Sequence, residues 1–261
     1  MPQARLVSAE AHALYVDQSR LADRLREPGP EPLVVWDVGL GAAHNAMAVL
    51  ACHDALGGGA RRSLRLVSFE HDLGSLRLAL RNAPRFPHLH RAGPNDILRL
   101  GEWRAPGSTV VWTLLEGDFR ARLADAPAPD VIFYDPFSAR TDPDMWTLEC
   151  FDRLFAACGQ HDTELLTYSA STAVRAALLA AGFVVGRGVP TGSKRETTLA
   201  MTPSAALRAV ARGRVLLDAE WLERWRRSDA RVPRDVPADG HAGFAERIAG
   251  LAQFRGASER A

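Results

Sequence analysis

Along the chain, short runs of consecutive apolar residues alternate with longer mixed stretches closed by glycine. The runs read as buried strands and the mixed stretches as helices packed on a sheet. Leu33 to Val38, after the Pro28-Gly29-Pro30 breaker, predicts a strand, and Ala42 to Leu56 an Ala-rich helix ended by Gly57-Gly58-Gly59. Leu64 to Glu70 predicts the next strand and Leu73 to Asn82 its helix. Strands follow at Val110 to Leu115, Val131 to Tyr134 and Leu165 to Tyr168, with helices at Phe151 to Cys158 and at Thr172 to Ala181, capped by Gly182. Phe183 to Val185 and Glu196 to Met201 read as a closing antiparallel hairpin. From Ala83 to Gly107 the prolines and histidines show no clear period. This alternation predicts an α/β fold with a mostly parallel sheet covered on both faces. Pro203 marks a boundary, giving a domain at 1–203 and a helical extension with a polar tail at 204–261.

Composition narrows the class. With 47% hydrophobic and 24% charged residues in 261, the chain has the profile of a soluble globular protein. No apolar run approaches a membrane span, and Met1-Pro2-Gln3-Ala4-Arg5 leads into polar residues without a signal core. Cys52, Cys150 and Cys158 include no Cys-x-x-Cys pair, which suits reduced thiols in a cytoplasmic protein and argues against a disulfide frame or zinc site. His88-Leu89-His90 has no companion ligands, so no metal is expected. The formal net charge is only +1, so a nucleic-acid partner would have to be held by a local patch.

Candidate chemistry gathers at the carboxyl ends of the predicted strands, where open α/β sheets bind ligands. The first strand runs into Asp37-Val38-Gly39-Leu40-Gly41-Ala42-Ala43-His44-Asn45. Its glycines let the backbone turn sharply and approach a ligand at a helix N-terminus. A dinucleotide fingerprint needs a small sixth residue, and His44 stands there. The acidic residue two positions before the first glycine is the form seen in S-adenosylmethionine sites. Glu70, ending the second strand, can accept both ribose hydroxyls or be a solvated strand-end carboxylate. Asp118 can accept from an adenine amino group or cap the helix that follows it. Tyr134-Asp135-Pro136-Phe137 places a carboxylate and an aromatic face where a cationic amine would be recognised, and resembles the Asp/Asn-Pro-Pro-aromatic corner of amino-group methyltransferases.

Taken together, these segments resemble the methyltransferase half of the MnmC-type tRNA 5-methylaminomethyl-2-thiouridine biosynthesis family. Ser8-Ala9-Glu10 with Tyr15 is similar to its N-terminal motif, and Asp37 to Asn45 to its glycine loop. Tyr134 to Thr147, containing Asp142-Pro143-Asp144-Met145-Trp146, resembles its signature segment. Thr167-Tyr168-Ser169-Ala170, the Val174-Arg175 to Gly182-Phe183 helix and Gly192-Ser193-Lys194-Arg195-Glu196 resemble its closing region. The resemblance covers about Ser8 to Met201 and implies a class I, Rossmann-like methyltransferase fold.

It further implies S-adenosylmethionine as cofactor, held by Asp37, Gly39, Gly41, Asn45, Glu70 and Asp118, and tRNA wobble uridine as the methyl acceptor. Asp135 and Phe137 would do the chemistry, with Tyr15, Met145, Trp146, Lys194 and Arg195 on the acceptor side. Met145 and Trp146 can equally be helix-start core contacts, and Lys194 and Arg195 a solvated hairpin tip. The family has glycine where Ala43 and Pro136 stand. No second Gly-rich strand–helix unit follows Met201, so the family's flavin-dependent oxidase activity is not expected, and separate oxidase or modification enzymes would have to supply the amine. Two other readings are an amine methyltransferase acting on a small molecule or protein side chain, and a non-catalytic cofactor-binding module. Finally, Trp221 and Trp225 among the arginines of the extension can form a stacking, basic face for RNA, or pack on the core under a solvated arginine face.

Overall fold

Six consecutive buried residues, Leu33–Val38, form β1, the strand around which the glycine-loop region is built. A computed structural model describes residues 12–29, 31–60, 62–107, 109–191 and 195–255. Two compact units are distinguished, Met1–Pro136 with Val189–Arg195, and Phe137–Gly188 with Glu196–Ala261.

In the first unit a π-helical turn at His12–Asp17 and helix α1 (Leu21–Arg26) precede β1. Then come α2 (His44–Ala55), β2 (Leu64–Glu70), α3 (Gly74–Arg81), α4 (Gly93–Leu100), β3 (Glu102–Arg104), β4 (Val110–Glu116), α5 (Phe119–Arg122) and β5 (Val131–Tyr134). The strand order is β3-β4-β2-β1-β5. Strands β4, β2, β1 and β5 are parallel, and only β3 runs antiparallel, against β4. The register sets Asp37 beside Ser68 on β2 and Phe133 on β5. Beneath the strand ends, Trp36, Phe69 and Phe119 pack edge to face, with centroids 5.0 to 6.4 Å apart.

The stretch without a readable period contains α4 and β3. Pro94 starts α4, and Gly101 in the left-handed region (φ 74°) ends it, so the helix has eight residues. With β3 only three residues long, neither element is long enough to display a period.

The second unit begins with the Phe137 segment and continues through α6 (Leu148–Cys158), β6 (Glu164–Thr167), α7 (Thr172–Ala181), β7 (Val184–Gly188) and β8 (Thr197–Met201). Its strands run β6-β8-β7, with β8 antiparallel to both β6 and β7, so the expected closing hairpin is present. Helices α8 (Pro203–Ala211), α9 (Ala219–Arg226), α10 (His241–Ala249) and α11 (Ala252–Arg255) complete it. Trp221 and Trp225 on α9 are buried, Trp221 stacked on Phe254 and Trp225 against Phe244. They are core residues, so the stacking face for RNA is not formed by them. No helix among the described residues is long and apolar enough to cross a membrane.

Candidate functional site: a glycine loop and three carboxylates

β1 delivers the chain to a loop that only particular backbone conformations allow. Gly39 has φ +91°, and a Cβ there would lie 2.5 Å from the Asp135 carbonyl oxygen and 2.9 Å from Pro136 Cα. The glycine lets the β1 and β5 ends meet. Gly41 (φ +51°) has open space where a Cβ would stand, room for a ligand beside the start of α2. Ala43 takes φ +62°, a left-handed conformation that a residue with a Cβ adopts at a cost of about 1–2 kcal/mol.

Glu70 organises this loop. Its Oε2 accepts from Gly41 N–H at 2.9 Å, and its Oε1 accepts from His71 and Asp72 N–H at 2.9 and 3.1 Å. Three of the carboxylate's roughly four lone-pair sites are therefore engaged with backbone. A ribose at this position would share or displace the Gly41 bond. Asn45, in the first turn of α2, donates its amide N–H to Asp135 Oδ2 at 3.1 Å, tying the glycine loop to the Asp-Pro-Phe corner.

Asp37 is wholly buried. Burial, followed by the charges of Asp135 and Glu70, pushes its carboxyl up to about 7, against the pull of the Ser68 and Asn45 side chains. At the start of α2, the His44 ring stacks on His88 at 3.9 Å, and His88 Nε2 lies 2.9 Å from the Ala42 carbonyl. Burial and the His88 neighbour push His44 down to about 4, so the pair is neutral near pH 7. The sequence held no sign that residue 88 would return to residue 44.

The remaining predicted residues are placed as follows. Tyr15 is buried, its ring 5.0 Å from Phe133. Asp118 caps α5, accepting from Arg120 N–H at 2.9 Å, and pairs with the Arg120 guanidinium at 2.7 Å. In the second unit Phe137 is 53% exposed, whereas Met145 and Trp146 are buried, Trp146 donating its indole N–H to the Phe137 carbonyl at 2.8 Å. That segment is clamped from the extension: Asp235 accepts from Leu148 and Glu149 N–H at 3.0 and 2.9 Å, and Arg234 lies 3.7 Å from Asp144. Arg195 is exposed. Lys194, with Gly192 and Ser193, and Ser8-Ala9-Glu10 lie outside the described residues. Sequence reasoning missed Ser68 and Trp112, which reach Asp37 through strand register, and the buried Arg175. Among the described residues no group of three His, Cys, Asp or Glu side chains is arranged to hold a metal.

The donor chemistry fits S-adenosylmethionine: a glycine bend with open space at Gly41, a helix N-terminus, and strand-end carboxylates that suit a cationic ligand. Comparison with known proteins agrees. Residues 88–203 match the family described as S-adenosyl-L-methionine-dependent methyltransferase. A tRNA 5-methylaminomethyl-2-thiouridine biosynthesis bifunctional protein MnmC from Aeromonas hydrophila is 29% identical over 204 residues, and one from Azoarcus 31% over 197. Each alignment covers 72% of this chain and 30% of the relative, so the chain spans about a third of the length of these relatives. The crystal structure of MNMC2 from Aquifex aeolicus shares the fold, with a TM-score of 0.62 and 20% identity over 93% of this chain and 75% of that one.

The chain is an S-adenosylmethionine-dependent methyltransferase of the class I fold. Within that class the chain is similar to proteins of the MnmC type, over about a third of their length.

Proposed function

We propose that the enzyme methylates the exocyclic amine of an aminomethyl-uridine at the wobble position of tRNA. The observation that carries this reading is the match over 72% of the chain to relatives named for that nucleoside's biosynthesis. The site supports it chemically. Asp135 stands at the end of β5, oriented by Asn45, where a carboxylate can accept a hydrogen bond from an incoming amine. An alkylamine has a pKa near ~10 by analogy with lysine, so it must lose a proton before its lone pair can attack. Asp135 orients that amine and helps hold or remove its proton, and Phe137, exposed two residues further along, offers a face to the cationic centre. When bound, the cofactor would supply an electrophilic methyl group on sulfur to that nitrogen. Asp37, Gly39, Gly41, Asn45 and Glu70 hold the cofactor, and Asp118 lies near the end of β4 for its base. Arg195, with Lys194, is assigned to phosphate contact, and Tyr15, Met145 and Trp146 to shaping the acceptor side.

A tRNA acceptor places the enzyme in the cytoplasm and requires a preceding reaction, by a separate enzyme or domain, that builds the amine on the tRNA. The test is mass spectrometry of bulk tRNA nucleosides from cells with and without the gene. Loss of the methylaminomethyl nucleoside with build-up of its aminomethyl precursor is the expected result. Unchanged nucleosides would overturn the tRNA reading in favour of a small-molecule or protein amine.

A further inference from the structure

The two oxygens of Asp37 are not equivalent. The Trp112 indole N–H, which can only donate, reaches Ser68 Oγ at 2.9 Å. The Ser68 hydroxyl in turn donates its own hydrogen to Asp37 Oδ2, also at 2.9 Å. With Oδ2 accepting in this way, a proton on the carboxyl resides on Oδ1. Oδ1 is buried and has no hydrogen-bond partner of normal geometry among the described residues. The charged groups bearing on it are carboxylates, Glu70 from β2 and Asp135 from the end of β5. From α2 comes the neutral Asn45 amide, a minor influence, and from β4 the uncharged Trp112 acts through Ser68. No arginine or lysine among the described residues pairs with Asp37 or Glu70.

A buried acid with one orphaned oxygen, faced by two more carboxylates, stays uncharged at the lower end of the physiological range and ionises when a cation arrives. S-adenosylmethionine carries a sulfonium charge that its product, a thioether, lacks. We infer that Asp37 Oδ1 is a proton-exchange site that makes donor binding proton-linked and favours the cationic donor over the thioether product. The O–H bond of Oδ1 breaks with its electron pair retained on oxygen, the proton passes to solvent, and the ligand's positive charge takes its place. When the methyl leaves and the sulfur becomes neutral, the carboxylate can take a proton back, loosening the product. This concerns the donor side alone and does not depend on which amine is methylated.

Calorimetry of the full chain with S-adenosylmethionine and with S-adenosylhomocysteine, in buffers of different ionisation enthalpy, reads the protons released per ligand. At pH 6 the wild type should release close to one proton per donor and clearly fewer per product; by pH 8.5 this release should vanish. Donor affinity should rise about tenfold between pH 6 and 8. Asp37→Asn should lose that release and that rise, the ligand's own amine contributing equally to both proteins. Ser68→Ala, which removes a hydrogen bond favouring the charged form, should move the midpoint to higher pH and keeps the test decisive if Asp37→Asn does not fold. Absence of proton release by the wild type at pH 6, equal release by Asp37→Asn, equal release with donor and product, or no donor binding would each overturn the inference.

Discussion

Two groups of buried ionisable side chains among the described residues, one in each unit, are built on opposite plans. In the first unit Asp37 and Glu70 have no arginine or lysine partner among the described residues, and Asp135 adds to the negative charge acting on Asp37. In the second unit Arg175, 2% exposed, is satisfied on every side. Its guanidinium donates to Glu196 Oε1 at 2.7 Å, to the Thr197 carbonyl at 2.8 Å and to Thr198 Oγ1 at 3.0 Å. Glu196 also accepts from Arg187 at 3.1 Å, and Arg187 lies 3.5 Å from Asp218. Despite its partial burial, Glu196 is held below the ordinary carboxylate range by these two arginines. Thr198 passes the chain on, donating to the Ser169 carbonyl at 2.6 Å. The Thr-Tyr-Ser-Ala, Val-Arg and Arg-Glu segments singled out by resemblance thus meet in one network. A matched cluster holds a fold together; an unmatched one holds a place for a ligand of opposite charge.

That contrast can be broken most severely at Arg175. Arg175→Ala leaves Glu196 with Arg187 alone and removes the donor to the Thr197 carbonyl and Thr198 Oγ1, and should cost about 3 kcal/mol or more of stability in a urea titration. A loss under 1 kcal/mol would mean the network is not the anchor its geometry suggests.

Asp37 should show the reverse behaviour. Its carboxyl is raised from 3.8 to about 7, so between those values the folded protein holds a proton that the unfolded chain has released. Stability contributed by this group is present at low pH and is lost as pH rises through about 7. Relative to Asp37→Asn, the ligand-free wild type should therefore weaken as pH rises, by up to about 1.4 kcal/mol per unit within that window. Parallel melting curves of the two proteins across pH would refute this.

Asp135→Ala should lower turnover by ~10²-fold, the scale of a positioned acid–base group, with donor affinity changed by no more than a few-fold. Single-turnover kinetics on the acceptor, beside donor calorimetry, separates the two effects. The smallest change is expected at Ala43. Ala43→Gly relieves a left-handed alanine but removes a buried methyl and loosens the unfolded chain, so the net effect should lie within about 1 kcal/mol of zero. A larger destabilisation would show that the methyl packs more tightly than its backbone strain costs.

What could be read from sequence were features with local causes. Leu33 to Val38 announced a buried strand by its own composition, and Gly39 and Gly41 a bend by their missing side chains. Tyr134-Asp135-Pro136 marked a strand end because proline cannot continue a ladder. What escaped depended on partners far along the chain. The Trp112–Ser68–Asp37 relay joins residues from three strands, and no spacing predicts it without the register. Arg175 looked like one helical arginine among many, and its burial depends on Glu196. Arginines of the extension illustrate the opposite error: several are matched locally, Arg208 by Asp162, Arg224 by Glu220, Arg226 by Glu223 and Arg234 by Asp144, so their number overstates the free positive charge. Asp235 could not be foreseen as a cap for the start of α6, 86 residues away from Glu149.

The Trp112 indole offers a natural spectroscopic probe of the glycine-loop region. The indole N–H of Trp36 donates to the Pro127 carbonyl, that of Trp146 to Phe137 and that of Trp225 to Arg231. Trp112 instead donates to a hydroxyl whose far side is a carboxyl that changes charge near neutral pH. Ionisation of Asp37 strengthens the pull on the Ser68 hydrogen, and the polarised oxygen draws harder on the indole proton. In a nitrogen-15 spectrum the Trp112 side-chain signal should drift across a single titration curve while that of Trp225 stays still. One resonance would then report, without added dye or substrate, when Asp37 is charged.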